Sequence, residues 1–258
     1  MNVLQNLIEL YNQLSQDSTY REVVRGILTN LEEASHASIY ELADLTSSSR
    51  TTIWRMLKLL GYENYADFRR ALKTAVERYS YYNRLLPSGA VKSDDRILQH
   101  IEKQMADASA CLGSDMETHP LSKMAKKVSE KKKVFFFFSY RSPAIYSFQQ
   151  NLAMAGIETC AVCLLPDMMS MASLASSDTL VFCSVIEHSE TMDLVTLFEM
   201  LYKKKADVVL FAGEESYYAE LVGDLIFSER NSTGVYSAIL RTDLYLMALS
   251  DTFRKDYL

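Results

Sequence analysis

Residues 38–60 read Ser38-Ile39-Tyr40-Glu41-Leu42-Ala43-Asp44-Leu45-Thr46-Ser47-Ser48-Ser49-Arg50-Thr51-Thr52-Ile53-Trp54-Arg55-Met56-Leu57-Lys58-Leu59-Leu60. Ser38 is a helix-capping residue, and Ile39, Leu42 and Ala43 fall on one face of the helix it opens. The small Ala43 lets a second helix cross closely. Three serines interrupt the pattern, then Ser49 caps a second helix whose Ile53, Met56, Leu57 and Leu60 face inward. Gly61 stands where that helix would end in a left-handed conformation. Two short helices joined by a tight turn form a helix-turn-helix, a unit whose second helix enters the DNA major groove by its N-terminal end. The polar residues off the inward stripe are Thr51, Thr52 and Arg55, with Arg50 at its edge. Together with Ser49 and Lys58 they are the candidate DNA-binding residues, because hydroxyls reach phosphates or bases and arginine forks onto guanine. Pattern alone leaves open an ordinary helical bundle with a solvated polar face.

Outward from this stretch, no proline precedes Pro87, and the only earlier glycines are Gly26 and Gly61. The absence of breakers, with apolar residues at three- and four-residue spacing, predicts helices near 2–15, 19–34, 38–45, 49–60 and 64–80. Tyr62, Tyr65 and Phe68 read as core, and Trp54 as a packing residue. Pro87-Ser88-Gly89 is the clearest interruption, so the expected domains are 1–87 and 88–258. The net charge of −6 divides unevenly between them. Residues 1–87 hold ten basic and ten acidic side chains, whereas 88–258 hold 17 against 23. Between Thr46 and Leu60 lie Arg50, Arg55 and Lys58 with no acid. That local field is what a phosphate senses, since charges beyond about 10 Å are screened.

Helices follow near 93–112 and 119–130. After Lys131-Lys132-Lys133 short apolar runs alternate with helical stretches: Val134–Phe138, Ile157–Leu164, Thr179–Val185, Ala206–Ala212 and Asp224–Ser228. Runs apolar on both faces indicate buried parallel strands, and helices between them indicate βαβ crossovers. The second domain is therefore expected to be an α/β doubly wound parallel-sheet sandwich.

Composition excludes several classes. No run of about 18 apolar residues exists to span a membrane. The start, Met1-Asn2-Val3-Leu4-Gln5-Asn6-Leu7, lacks a secretory pattern, so a cytoplasmic location is expected. Cys111, Cys160, Cys163 and Cys183 are too few and scattered for a disulfide framework. His36, His100, His119 and His188 form no metal-ligand spacing with them, and no metal or cofactor is expected.

The stretch Leu42-Ala43, Ser49-Arg50-Thr51-Thr52-Ile53-Trp54-Arg55-Met56 and Leu60-Gly61-Tyr62-Glu63-Asn64-Tyr65-Ala66-Asp67-Phe68-Arg69 resembles the N-terminal domain of RpiR-type transcription regulators. One departure is Ser47, where glycine often makes the turn; serine serves if its φ stays negative or strain is tolerated. The resemblance implies a SIS (sugar isomerase) domain behind, operator DNA as partner and a phosphosugar effector controlling genes of carbohydrate metabolism. It further implies phosphate held at the carboxyl ends of parallel strands by two loops. Both loops depart from the family pattern here. Ser139-Tyr140-Arg141-Ser142-Pro143 lacks glycine, and Ile186-Glu187-His188-Ser189-Glu190-Thr191 has Ser189 at the usual glycine. The candidate effector residues are Ser139, Arg141, Ser142, Ser189 and Thr191.

Retained phosphosugar binding, a different small ligand and a structural dimerisation role all remain open for this domain. The competing function is a sugar-phosphate isomerase, with Glu187 and His188 as candidate bases, against which the altered loops and helical N-terminal domain argue; no catalytic residue is assigned. A third reading makes the helix pair a protein-interaction module. Because helix-turn-helix proteins read paired half-sites, a homodimer or higher homo-oligomer is expected.

Overall fold

A computed structural model describes residues 3–82, 94–185, 192–212, 218, 222, 224–227 and 235–258. The chain forms two compact units, one of Met1–Arg84 with Cys163–Asp167, the other of Leu85–Val162 with Met168–Leu258. Pro87-Ser88-Gly89 lies outside the described residues. No described helix is long and apolar enough to cross a membrane.

The first unit is helical: α1 (Val3–Gln13), α2 (Thr19–Thr29), α3 (Leu31–His36), α4 (Ile39–Leu45), α5 (Arg50–Leu59) and α6 (Tyr65–Tyr82). Its core gathers Leu7, Val23, Val24, Ile27, Leu42, Ile53, Met56, Leu57, Phe68 and Leu72, the residues that recur at helical spacing. Phe68 is buried against Tyr62 and Tyr65, as their spacing predicts. The Tyr65 hydroxyl donates to the Ala37 carbonyl at 2.8 Å, and burial pushes its pKa up to about 12.

The helix expected over 19–34 is instead two helices. Asn30 leaves helical geometry (φ −124°, ψ 45°), and its side chain donates to the Gly26 carbonyl at 2.9 Å. A short amide that competes with the backbone in this way ends a helix that periodicity alone would continue.

At the turn of the helix pair, Ser38 and Glu41 form a reciprocal capping box at the start of α4. The exit uses a Schellman arrangement: Ser48 N–H bonds the Ala43 carbonyl at 2.8 Å and Ser47 N–H bonds the Asp44 carbonyl at 3.1 Å. Ser47 adopts φ +48°, so of the two alternatives left by the sequence, tolerated strain is realised. Gly61 plays the same part after α5 at φ +85° without a Cβ to crowd.

The second unit contains α7 (Asp94–Thr118), α8 (Leu121–Ser129), β1 (Lys133–Phe137), α9 (Pro143–Met154), β2 (Glu158–Val162), α10 (Leu165–Ser173), β3 (Thr179–Ser184), α11 (Met192–Lys203), β4 (Asp207–Phe211), β5 (Asp224–Phe227) and α12 (Val235–Tyr257). The strands form one parallel sheet in the order β2-β1-β3-β4-β5, with the sequence-expected strands in place. Alternation along the strands splits the apolar side chains between two faces. Val134, Phe136, Phe138, Leu180, Phe182, Val209 and Phe211 meet α8, α9 and α12 in one core. Phe135, Phe137, Val181, Cys183, Val208 and Leu210 are buried on the opposite face, where α11 packs on β4. Burying one such phenylalanine stabilises by about 1.5–3 kcal/mol.

α12 is fastened to its neighbours by polar contacts. Arg241 pairs with Asp115 of α7 through two buried hydrogen bonds. Asn151 of α9 donates to the Ser250 hydroxyl at 2.9 Å, and Tyr245 donates to the His119 carbonyl at 3.2 Å. α7 continues to Thr118, past the end expected at Leu112.

The left-handed Ser47 yields a test. Ser47→Gly is expected to raise unfolding stability by about 1 kcal/mol, because an L side chain at positive φ costs about 1–2 kcal/mol. A thermal melt of the variant at or below that of the parent would contradict this.

Candidate functional site

Two sites emerge, one in each unit. In the first, α5 turns Ile53, Met56, Leu57 and Leu60 into the core, and at 100° per residue the centre of its outward face is Thr51, Arg55 and Lys58. All three are exposed. Ser49 caps α5, its hydroxyl accepting from Thr52 N–H at 3.0 Å, and the Ser49 and Thr52 hydroxyls lie 2.9 Å apart. The first turn of α5 contains no acid. Of the six sequence-predicted residues, Ser49, Arg50, Thr51 and Thr52 stand at the start of α5, and Arg55 and Lys58 follow on its outward side, Lys58 in the last turn.

Aromatic rings complete this surface. Tyr40, 62% exposed in the first turn of α4, carries the Arg50 guanidinium 4.4 Å above its ring centroid. Trp54 is 37% exposed, with the Lys58 ammonium 4.9 Å from its ring. Expected to pack, Trp54 instead stands at the surface on the Arg50 side of the outward face. Tyr40 escaped the sequence reading; the available signal was a large aromatic off the inward stripe of α4. A cation over an aromatic face gains about 0.5–1 kcal/mol at an exposed position. Both cations are thus held close to the surface rather than free to sweep solvent.

In the second unit, parallel strands bring the ends of β1 and β3 to one edge of the sheet. Beyond β1, Ser139 and Ser142 are buried. Ser142 is the N-cap of α9, its hydroxyl accepting from Ala144 N–H at 3.1 Å, with Pro143 in the first turn. Arg141 is exposed and donates to the Tyr146 hydroxyl at 2.7 Å. The structure thus brings Ser139, Arg141 and Ser142 together at one loop. Ser189 and Thr191 lie outside the described residues, as do Glu187 and His188.

Two residues that the sequence reading missed also belong to this edge. Burial pushes the carboxyl of Asp243 on α12 above its ordinary value, and Ser142 beside it works against that rise. Ser184, the last residue of β3, is 2% exposed. Among the described residues, the buried Oδ1 of Asp243 and Oγ of Ser184 have no hydrogen-bond partner. No sequence motif marks either one. Burial raises the thiols of Cys183, to about 12, and Cys160, to about 11.

The model of the helix-turn-helix domain of the rpiR family matches residues 1–78. Among solved structures the chain is similar to the Vibrio vulnificus NanR protein complexed with ManNAc-6P. That likeness has a TM-score of 0.51 at 18% identity, and covers 98% of this chain and 92% of that one. It extends over both the helical unit and the α/β unit, as the SIS-type fold expectation requires. A protein described as a sugar-phosphate isomerase from Listeria monocytogenes is 13% identical, with a TM-score of 0.41 over 61% of this chain and 88% of that one. The C-terminal domain of glucosamine-fructose-6-phosphate aminotransferase from Francisella tularensis is 15% identical, with a TM-score of 0.45 over 80% and 53%. No curated protein matches the chain.

The cap at the head of α5 can be tested directly. Ser49→Ala is expected to destabilise the helical unit by about 1 kcal/mol. Chemical denaturation followed by circular dichroism measures it, and an unchanged midpoint would show that the cap contributes nothing.

Proposed function

We propose, taking residues 1–78 as a helix-turn-helix domain of the rpiR family and the chain as a DNA-binding transcription regulator, that the outward face of α5 reads operator DNA and the α/β unit senses a phosphosugar. The observation carrying the first part is the geometry of α5. Thr51 and Arg55 stand opposite the buried stripe, where base edges would lie, while Arg50 is held on Tyr40 at the side nearer α4. In a helix-turn-helix the first helix crosses the phosphate backbone and the second enters the groove. Arg50, Ser49, Thr52 and Lys58 accordingly hold phosphates, and Thr51 and Arg55 read bases.

The second part rests on the carboxyl edge of the parallel sheet, where open α/β sheets take their ligands. Ser139, Arg141, Ser142, Ser189 and Thr191 supply the site in this reading, with the N-terminus of α9 favouring an anion. The NanR protein, of like fold, was solved with ManNAc-6P, which makes a hexose phosphate the class to try first. The chain works by binding rather than turnover. It reads a two-fold operator as a homodimer held mainly by the α/β unit.

A duplex selected from a randomised pool by the purified chain supplies the operator probe. Arg55→Ala is expected to weaken binding by about 1–3 kcal/mol and relax preference at one position. Arg50→Ala should weaken all duplexes alike and reduce the salt dependence by about one counterion. Unchanged affinity in both variants, with folding intact, would remove α5 from the interface. Light scattering at micromolar concentration is expected to report at least a dimer; a monomer would contradict the two-fold reading.

A further inference from the structure

Among the described residues, two buried polar atoms at the carboxyl edge of the sheet have no hydrogen-bond partner and call for an explanation, because folded proteins satisfy nearly all such groups or hold them for a ligand. Ser184 ends β3 on the same sheet face as Leu180 and Phe182, the face that α8, α9 and α12 cover. Its cross-strand neighbour is Phe211, whose ring lies 6.1 Å from that of Tyr245 on α12. Asp243 sits two residues before Tyr245 and is tied to Ser142 at the head of α9.

Further along the same two helices Asn151 meets Ser250. Contacts that advance together along α9 and α12 mean that the helices run side by side in one direction. The leading turns of α12 therefore lie at the edge where α9 begins. The Ser142 hydroxyl accepts from Ala144 N–H at 3.1 Å, and beside Asp243 it works against the rise that burial causes in that carboxyl.

We propose that Asp243 and Ser184 are ligand-contacting groups, with the free Asp243 carboxylate oxygen accepting a hydrogen bond from a hydroxyl or amide N–H of a sugar. This deepens the phosphosugar reading and rests on it. Loop hydroxyls and Arg141 take the phosphate end, while Asp243 recognises the donor-bearing body that inorganic phosphate lacks. An unpaired buried carboxylate is unfavourable in the empty protein and becomes favourable when a donor arrives. A residue kept for binding in this way lowers stability without ligand, whereas a residue kept for structure raises it.

The test uses the full chain. Asp243→Asn keeps the side-chain shape while removing the charge, and Ser184→Ala removes the unsatisfied hydroxyl. Each is expected to raise the ligand-free Tm by about 2–4 °C. Calorimetric titration with N-acetylmannosamine 6-phosphate, glucosamine 6-phosphate and glucose 6-phosphate should show binding weakened about tenfold or more in Asp243→Asn. Affinity for inorganic phosphate should remain that of the parent. A lower ligand-free Tm in both variants would make these residues structural and overturn the inference. Sugar-phosphate binding that survives both substitutions would overturn it alone, leaving the phosphosugar reading in place. A parent chain that binds none of the three sugar phosphates would overturn that reading and this inference together.

Discussion

A parallel sheet that is apolar on both faces must be covered on both, and this constraint organises the larger unit. The four successive phenylalanines from Phe135 to Phe138 divide by alternation, Phe136 and Phe138 to one side, Phe135 and Phe137 to the other. Neither side tolerates water. The helix that follows β1 must therefore double back along the sheet, which puts its start at the carboxyl edge of the strands. α12 covers the same face beside it. The opposite rim carries ion pairs such as Lys131–Asp207 and Lys133–Glu158, whereas at the carboxyl rim loops and helix starts satisfy what the core cannot.

That rim is neither fully satisfied nor fully open. Ser142 satisfies the first turn of α9 and stands beside Asp243, whose carboxyl burial raises. Nearby Asp115 and Arg241 complete each other, bidentate and buried. Burial raises the Asp115 carboxyl, and Arg241 works against that shift. A guanidinium fork makes Asp115 a fastening, whereas among the described residues Oδ1 of Asp243 has no partner.

The helical unit solves a different problem. Its helix α5 has a fixed start and yet presents long cations outward. Caps at Ser38 and Ser49 fix both helix starts, and the rings of Tyr40 and Trp54 hold Arg50 and Lys58. Cations held in place before encounter lose less conformational freedom on meeting phosphate. The overall negative charge of the chain is no obstacle, since the excess acid lies beyond residue 87.

Much of this was readable along the chain. Helix pairs, strands and caps depend on neighbours within a few positions, so periodicity in Ile53, Met56, Leu57 and Leu60, or in Val134–Phe138, carried their assignment. Where side chains intervened, that reading failed: Asn30 split a periodic helix, and α7 ran past Gly113. There the final turns are held by Asp115 on Arg241 and, just beyond them, by Tyr245 on the His119 carbonyl. By itself the sequence determined the two-part architecture, the inward stripe of α5 and the loop bearing Ser139, Arg141 and Ser142. Only tertiary packing decided that Tyr40 would carry Arg50, that Trp54 would face outward, and that Asp243 would reach Ser142 from a hundred residues away. Local hydrophobic pattern selects which face of an element is buried; which remote side chain then meets it depends on how whole helices lie against the sheet.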